Sequence, residues 1–269
     1  MDNAAKLLPV LEALAIEAGT AIMEIRGRGA DIREKPDHSP VTDADEAAER
    51  IIIRGLRDLL PDTPIVAEES TAAGHCPAPG ALFWLVDPLD GTKEFVRGKG
   101  EFTVNIALVR HGAPIAGVVH APALGRLYAG AEGQGAELVE VTGSKPAMRR
   151  AIAVREASRD ALVAIASKSH RLPQTDAFLD RLPLAESRAV GSSLKFCVIA
   201  EGGADIYPRF GETMEWDTAA GQAVLTAAGG QVLAWDGSPF AYGKPGYRNA
   251  GGFLALGRLP ADFLRSLLP

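Results

Sequence analysis

Carboxylates at the exits of apolar runs are the residues of this sequence best placed to do chemistry. Glu68 follows Ile65-Val66-Ala67, and Asp87 and Asp90 follow Leu82-Phe83-Trp84-Leu85-Val86. Asp217 comes after Glu215-Trp216, where a helical pattern opens. The first two runs have the length and composition of strands, and functional sites are commonly carried by the loops at element ends. Oxygen donors of this kind suit a hard divalent cation such as Mg²⁺. No His or Cys accompanies them, which argues against zinc. Within Asp87-Pro88-Leu89-Asp90-Gly91-Thr92, Pro88 stiffens the turn between two acids, so both can face one centre with the Leu89 carbonyl between them. Gly91 lets the backbone approach a ligand closely. The amides of Gly91 and Thr92 open a predicted helix, where they can bind a phosphate.

Each piece also has a plainer explanation. Asp90-Gly91 alone is a turn signal. Asp217 fits a helix N-cap, and Asp45 fits a first-turn acid answering the helix dipole. Glu68-Glu69 alone reads as a solvated edge. Their joint occurrence, each at the end of an element, favours a metal site. No GxxxxGK[ST] loop is present, and no GxGxxG follows a strand. Ser169-His170 is a poor nucleophile–base pair. Cys76 and Cys197 are isolated, giving no disulfide framework and no CxxC pair. Free thiols suit a reducing cytoplasm.

The elements that must position these acids can be read from periodicity. Leu7, Leu11, Leu14, Ala18, Ile22 and Ile25 mark an amphipathic helix ending near Gly27 and Gly29, interrupted by acids and so unlike a signal peptide. Residues 33–40 read as an exposed loop. A second helix starts at Thr42-Asp43 and stops at Pro61. Strands are predicted over 65–67, 82–86, 103–109 and 114–120, with a turn at His111-Gly112 and further strands to about Val141. Gly143-Ser144-Lys145-Pro146 is the expected boundary between an N-terminal half, 1–145, carrying most of the acids, and a C-terminal half, 146–269. Beyond it come a strand over 161–166, a helix over 176–182, a helix over 192–201, a strand over 205–207 and a helix over 217–228. The mixture lacks a regular βαβ alternation, which points to a layered α+β fold. The net charge of −6, with Lys and Arg dispersed, argues against a nucleic acid polymer as partner. A small phosphorylated ligand remains compatible with it, because a bound cation can supply positive charge. No segment is long and apolar enough to cross a bilayer.

Taken together, Ala67-Glu68-Glu69-Ser70, Trp84-Leu85-Val86-Asp87-Pro88-Leu89-Asp90-Gly91-Thr92 and Trp216-Asp217-Thr218-Ala219-Ala220-Gly221 resemble the lithium-sensitive inositol monophosphatase superfamily. The resemblance extends over nearly the whole chain in the same order. It implies a layered αβαβα sandwich with the site between its halves. It implies two or three Mg²⁺ per site, bound by Glu68, Asp87, the Leu89 carbonyl, Asp90 and Asp217. Asp45 and Thr92 would position the attacking water, with Glu68 also in the catalytic set. Asp43 competes with Asp45, which better matches the Thr-x-x-Asp pattern from Thr42.

Within the superfamily, four features resemble the CysQ type of 3'(2'),5'-bisphosphate nucleotidase. They are Lys93-Glu94-Phe95, Ser167-Lys168-Ser169-His170, Tyr207-Pro208-Arg209 and Glu215-Trp216-Asp217-Thr218-Ala219-Ala220-Gly221. This branch implies hydrolysis of the 3'-phosphate of adenosine 3',5'-bisphosphate, extending to its sulfated form, and a place in sulfur metabolism. Arg209 and Lys168 are candidates for the second phosphate, since a guanidinium fork suits phosphate, although Arg209 could equally be an ordinary surface residue. Ser169, Gly191, Ser192, Gly91 and Thr92 complete the expected substrate contacts. Alternatives on the same scaffold are an inositol or fructose 1,6-bisphosphate phosphatase, and, outside enzymes, a phosphate-ligand sensor. The expected location is cytoplasmic, with homodimerisation and peripheral contact with the inner membrane face left open.

Overall fold

The computed structural model describes residues 4–35, 38–167 and 172–268. The chain opens with α1 (Leu8–Arg28), the hairpin of β1 (Ile32–Glu34) and β2 (Pro40–Thr42), and α2 (Asp43–Leu59). Next come β3 (Ile65–Ala67), α3 (Glu68–Ala72), β4 (Leu82–Asp90) and α4 (Thr92–Val96). A meander follows: β5 (Thr103–Arg110), β6 (Ala113–Ala121), β7 (Arg126–Ala131), β8 (Gly135–Thr142) and β9 (Lys145–Ile152). The later part holds β10 (Leu162–Ser167), α5 (Pro173–Leu179), β11 (Leu184–Val190), α6 (Leu194–Ala200) and β12 (Ile206–Arg209). It ends with β13 (Thr213–Met214), α7 (Ala219–Ala227), β14 (Gln231–Leu233), β15 (Arg248–Asn249), β16 (Phe253–Leu256) and α8 (Ala261–Leu267).

Two sheets carry the architecture. β3 to β9 form one sheet in sequence order, antiparallel except for the parallel β3–β4 pair. The second has the order β11-β10-β12-β16-β14. Alternation along β4 explains the layering. Trp84 and Val86 point to one core with Leu11, Ile22, Ile52 and Leu56 of α1 and α2. Phe83 and Leu85 point to another, shared with Phe196 and Ile199 of α6, Val224 of α7, and Ile165 and Phe253 of the second sheet. The far face of that sheet packs Phe178 and Leu179 of α5 and Leu264 of α8. Helices, sheet, helices, sheet, helices is the αβαβα sandwich that the family resemblance implied.

The middle layer lies close to the first sheet because glycines face it. A Cβ on Gly117 would stand 2.7 Å from Ala223 Cβ, and one on Gly130 would stand 2.9 Å from Val224 Cα. Those small positions let α7 settle on the strands.

Some expectations need correction. The stretch read as an exposed loop overlaps β1 and β2, whose three-residue strands have no apolar alternation to announce them. Gly143 and Ser144 form the turn of the β8–β9 hairpin, so the first sheet extends to Ile152 and the chain crosses to the second sheet later. A glycine turn reads alike in a hairpin and at a domain boundary. α5 begins at Pro173, ahead of the predicted helix, because proline is well suited to the first turn. β11, largely exposed, has no apolar pattern to reveal it. Among the described residues no helix is long and apolar enough to cross a membrane.

Buried polar groups in this core are mostly satisfied, and His120 on β6 is an informative exception. Its Nδ1 donates to the Ala15 carbonyl of α1 at 2.8 Å, while Nε2 is buried without a partner among the described residues. Protonation would place a second N–H there with no acceptor, so burial lowers the imidazole pKa from 6.5 to about 4. A lowered folded pKa means stability is fully present above the unfolded value and drains as pH falls. Urea unfolding of the wild type should therefore lose up to about 3 kcal/mol between pH 6.5 and 4 from this group. His120→Asn, which cannot titrate, should show a shallower loss; equal slopes would remove His120 as the cause.

Candidate active site

Four element ends deliver the acids to one place. β3 hands Glu68 to the start of α3, β4 ends on Asp87 and Asp90, and Asp217 precedes α7. They line a cavity of about 470 Å³ together with Leu89, Gly91, Thr92, Lys195 and Arg209. A β-bulge interrupts the β4–β5 pairing between Asp87 and Asp90, which turns the strand end. Asp87 Oδ1 accepts the Leu89 N–H at 3.0 Å, closing the turn that Pro88 stiffens. Gly91 is left-handed (φ 93°), and a Cβ there would stand 3.1 Å from the Glu101 carbonyl.

The plainer explanations can now be judged. Asp217 is not an N-cap: Thr218 occupies that position without a side-chain cap, and Asp217 Oδ2 accepts the Met214 N–H at 2.8 Å. Glu68-Glu69 is not a solvated edge. Both carboxylates accept from Lys35 Nζ at 2.7 Å, and Lys35 is nearly buried. Asp45 does serve its helix, in a capping box with Thr42. That box uses only Oδ2, which accepts the Thr42 N–H and hydroxyl at 2.7 Å each. Its Oδ1 accepts from the Thr92 hydroxyl at 3.2 Å, so Asp45 stands directly behind the cavity wall. Asp43 is engaged elsewhere, with the Asp31 N–H and Arg28. The geometry thus separates the two candidates.

Burial and mutual repulsion dominate the electrostatics. Burial pushes the Asp87 carboxyl well above its ordinary range, and Glu68, Asp90 and Asp217 push it further. Asp217 is raised for the same reasons, burial first and then Asp90 and Glu68. Burial raises Asp45 to about 6 against its Thr42 hydrogen bonds. Burial lowers Lys35, but Glu68 and Glu69 outweigh it and hold the ammonium charged.

These donors fit a divalent cation in chemistry: they are all oxygens, they are anionic, and two of them are buried against like charge. Among the described residues no three acidic, His or Cys side chains stand as a preformed cage. Glu68 faces Lys35, Asp90 Oδ2 takes two serine hydroxyls, and Asp217 Oδ2 faces Met214.

The other expected substrate residues have mixed placements. Arg209 is buried rather than a surface residue, and its guanidinium donates to the Gly211 and Glu212 carbonyls at 3.2 and 3.0 Å. Ser192 lines the cavity but its hydroxyl donates to Asp90 Oδ2 at 2.7 Å, and the Gly191 N–H donates to Glu101 at 3.0 Å. Lys168 and Ser169 lie outside the described residues.

Three residues went unrecognised in the sequence. Lys35 was lost in a polar stretch. Lys195 is a buried lysine in the cavity wall, lying over the Tyr207 ring; burial lowers it to about 8 while Asp90 opposes. Its signal was a lone cation inside Leu194-Lys195-Phe196-Cys197. Glu49 of α2 accepts the Glu69 and Ser70 N–H groups at 2.8 and 2.9 Å and so fixes the start of α3 beside Glu68. Its place on the buried stripe with Asp45, Ala48 and Ile52 was the clue.

The chain belongs to the inositol monophosphatase family, whose model matches residues 3–260. It is 46% identical over 243 residues to the 3'(2'),5'-bisphosphate nucleotidase CysQ of Escherichia coli K12, covering 87% of this chain and 96% of that one. CysQ of Buchnera aphidicola is 42% identical, with 88% of each chain covered. Among solved structures, CysQ from Bacteroides thetaiotaomicron superposes with a TM-score of 0.77 at 32% identity, covering 95% of this chain and 98% of that one. An inositol monophosphatase from Thermotoga maritima gives 0.77 at 28% identity, covering 99% and 96%.

If unbalanced buried charge burdens the metal-free state, removing one charge should relieve it. Asp87→Asn keeps the shape and should stabilise the chelator-treated protein by roughly 0.5–2 kcal/mol in urea unfolding, while Mg²⁺ should stabilise only the wild type. A destabilised, chelator-treated variant would contradict this electrostatic account.

Proposed function

We propose that this chain is a magnesium-dependent 3'(2'),5'-bisphosphate nucleotidase that removes the 3'-phosphate of adenosine 3',5'-bisphosphate, leaving AMP. The observation that carries the reading is a cavity of split charge. Glu68, Asp87, Asp90 and Asp217 line it together with the buried cations Lys195 and Arg209. A substrate with one phosphate can be served by the acids and their cations alone. A second phosphate would add an anion beside Lys195 and Arg209, and Arg209 is already oriented by two carbonyls. The kinship with CysQ enzymes supports the same substrate class.

Glu68, Asp87, the Leu89 carbonyl, Asp90 and Asp217 would hold the Mg²⁺ ions, two or three per site. Bound there, the ions would supply charge neutralisation for the phosphate, activation of water and support for the leaving oxygen. The chain's own groups do the rest. Thr92 Oγ and Asp45 Oδ1, 3.2 Å apart, orient the attacking water, and Asp45 accepts its proton. The amides of Gly91 and Thr92 fix the reacting phosphate at the start of α4. Lys35 at Glu69, and Glu49 at the Glu69 and Ser70 amides, hold the segment that follows Glu68 in place.

Three outcomes are expected. Asp90→Asn should nearly abolish turnover with an unchanged circular dichroism spectrum; near-normal turnover would sink the metal reading. A panel of adenosine 3',5'-bisphosphate, inositol 1-phosphate and fructose 1,6-bisphosphate with Mg²⁺ should favour the nucleotide, and added Li⁺ should inhibit. A clear preference for inositol phosphate would replace this substrate assignment. Arg209→Ala should raise KM for the bisphosphate about tenfold or more, as expected for a lost charge-assisted contact of about 1.4–3 kcal/mol. It should change a monophosphate's KM far less, and equal effects on both would remove Arg209 from the second phosphate.

A further inference from the structure

Asp90 sits at the end of the first sheet, yet the other half of the molecule helps hold it. Ser192 Oγ donates to Asp90 Oδ2 at 2.7 Å, and Ser193 Oγ approaches the same oxygen at 2.9 Å. Ser193 Oγ also lies 3.0 Å from the Asp217 carbonyl. Behind the two serines stand Thr103 and Asn105 of β5. The register sets Asp87 opposite Asn105 and Asp90 opposite Thr103. Being two residues apart, Thr103 and Asn105 share a face. Thr103 meets the Ser192 hydroxyl, and Asn105 Nδ2 donates to Ser193 Oγ at 2.7 Å.

Direction follows from the donors. A serine hydroxyl has one proton. Asn105 fills an acceptor position on Ser193, so that proton points toward Asp90 and the Asp217 carbonyl. Thr103, Asn105 and Ser193 are all fully buried, where such bonds are strongest. Ser192 holds a left-handed φ of 55°, uncommon for a residue with a side chain, so its local geometry is kept by these contacts. Both hydroxyls fall on Oδ2, and among the described residues Asp90 Oδ1 takes no hydrogen bond.

We propose that Ser193, oriented by Asn105, is a positioning residue that ties the Asp90 carboxylate and the Asp217 main chain into one frame, so that acids from two separate elements address the same cation. The inference rests on the metal reading above. It separates the work of the two Asp90 oxygens: Oδ2 is spent on the frame and Oδ1 is presented to the ion.

Two variants of the full chain test it. Ser193→Ala removes the bridge. Asn105→Leu removes only its orienting donor; because Asn105 Oδ1 is buried without a partner among the described residues, that change also deletes an acceptor they leave unsatisfied. Metal-free wild type and variants are titrated with Mn²⁺, reading free ion by electron paramagnetic resonance, and then assayed with Mg²⁺. Ser193→Ala should bind Mn²⁺ about tenfold more weakly, the loss of one hydrogen bond to a charged group. Its kcat should fall at limiting Mg²⁺ and recover at saturating Mg²⁺, with KM for the bisphosphate unchanged. Asn105→Leu should bind Mn²⁺ about threefold more weakly without losing thermal stability. Unaltered Mn²⁺ affinity in both variants, with only a lowered melting temperature in Ser193→Ala, would overturn the inference and leave the metal reading standing. A wild type that takes up no Mn²⁺ would overturn both.

Discussion

Asp87 and Asp217 are buried beside each other's charge and that of Asp90 and Glu68, and most of what surrounds the cavity answers that repulsion. Burial disfavours the charged form of a carboxyl, and like neighbours disfavour it further. Protonation, a nearby ammonium or a metal cation can each relieve it. The protein's own positive groups reach this centre from its edges: Lys35 at Glu68, and Lys195 beside Asp90. The free energy of the bare cluster would fall on the arrival of the divalent cations proposed for it.

Holding acids in that state takes structure that gains little stability from them. α2 contributes twice, through the capping box that orients Asp45 and through Glu49, which secures the first turn of α3. β4 ends in a bulge, and α7 lies close on glycines of β6 and β7, which sets the height at which Asp217 enters. The serines before α6 close the frame from the second half. The Asp45 cap, the first turn of α3, the end of β4 and the serines before α6 are all at element termini, where backbone groups lack partners inside the element and side chains supply them. Capping and the proposed chemistry therefore draw on the same residues: Asp45 Oδ2 serves its helix while Oδ1 meets Thr92.

The legible parts of the sequence were those with a strong local signature. The apolar runs before Glu68 and Asp87 made strands, and the acids at their exits do share one cavity. The layered fold followed from the order of the elements. Local pattern left the roles of Asp43 and Asp45 open, because both sit in a first helical turn; only hydrogen bonds to Asp31 and Thr92 distinguish them. Lys35 was hidden because a lysine in a polar stretch carries no sign of the glutamates it will meet 33 residues later. β11 went unnoticed and the β8–β9 turn was misread because their surroundings in space, not their composition, define them. Long-range pairing is what a one-dimensional pattern does not contain.

The central claim is that the four acids form a cation site. Crystals grown with Mn²⁺ and inorganic phosphate, measured at the manganese edge, test it directly. Anomalous peaks are predicted within about 2.0–2.6 Å of carboxylate oxygens of Asp87, Asp90 and Asp217, with a further peak at Glu68 and Lys35 moved off that side chain. A clean map at these acids, with Lys35 still on Glu68, would contradict the account.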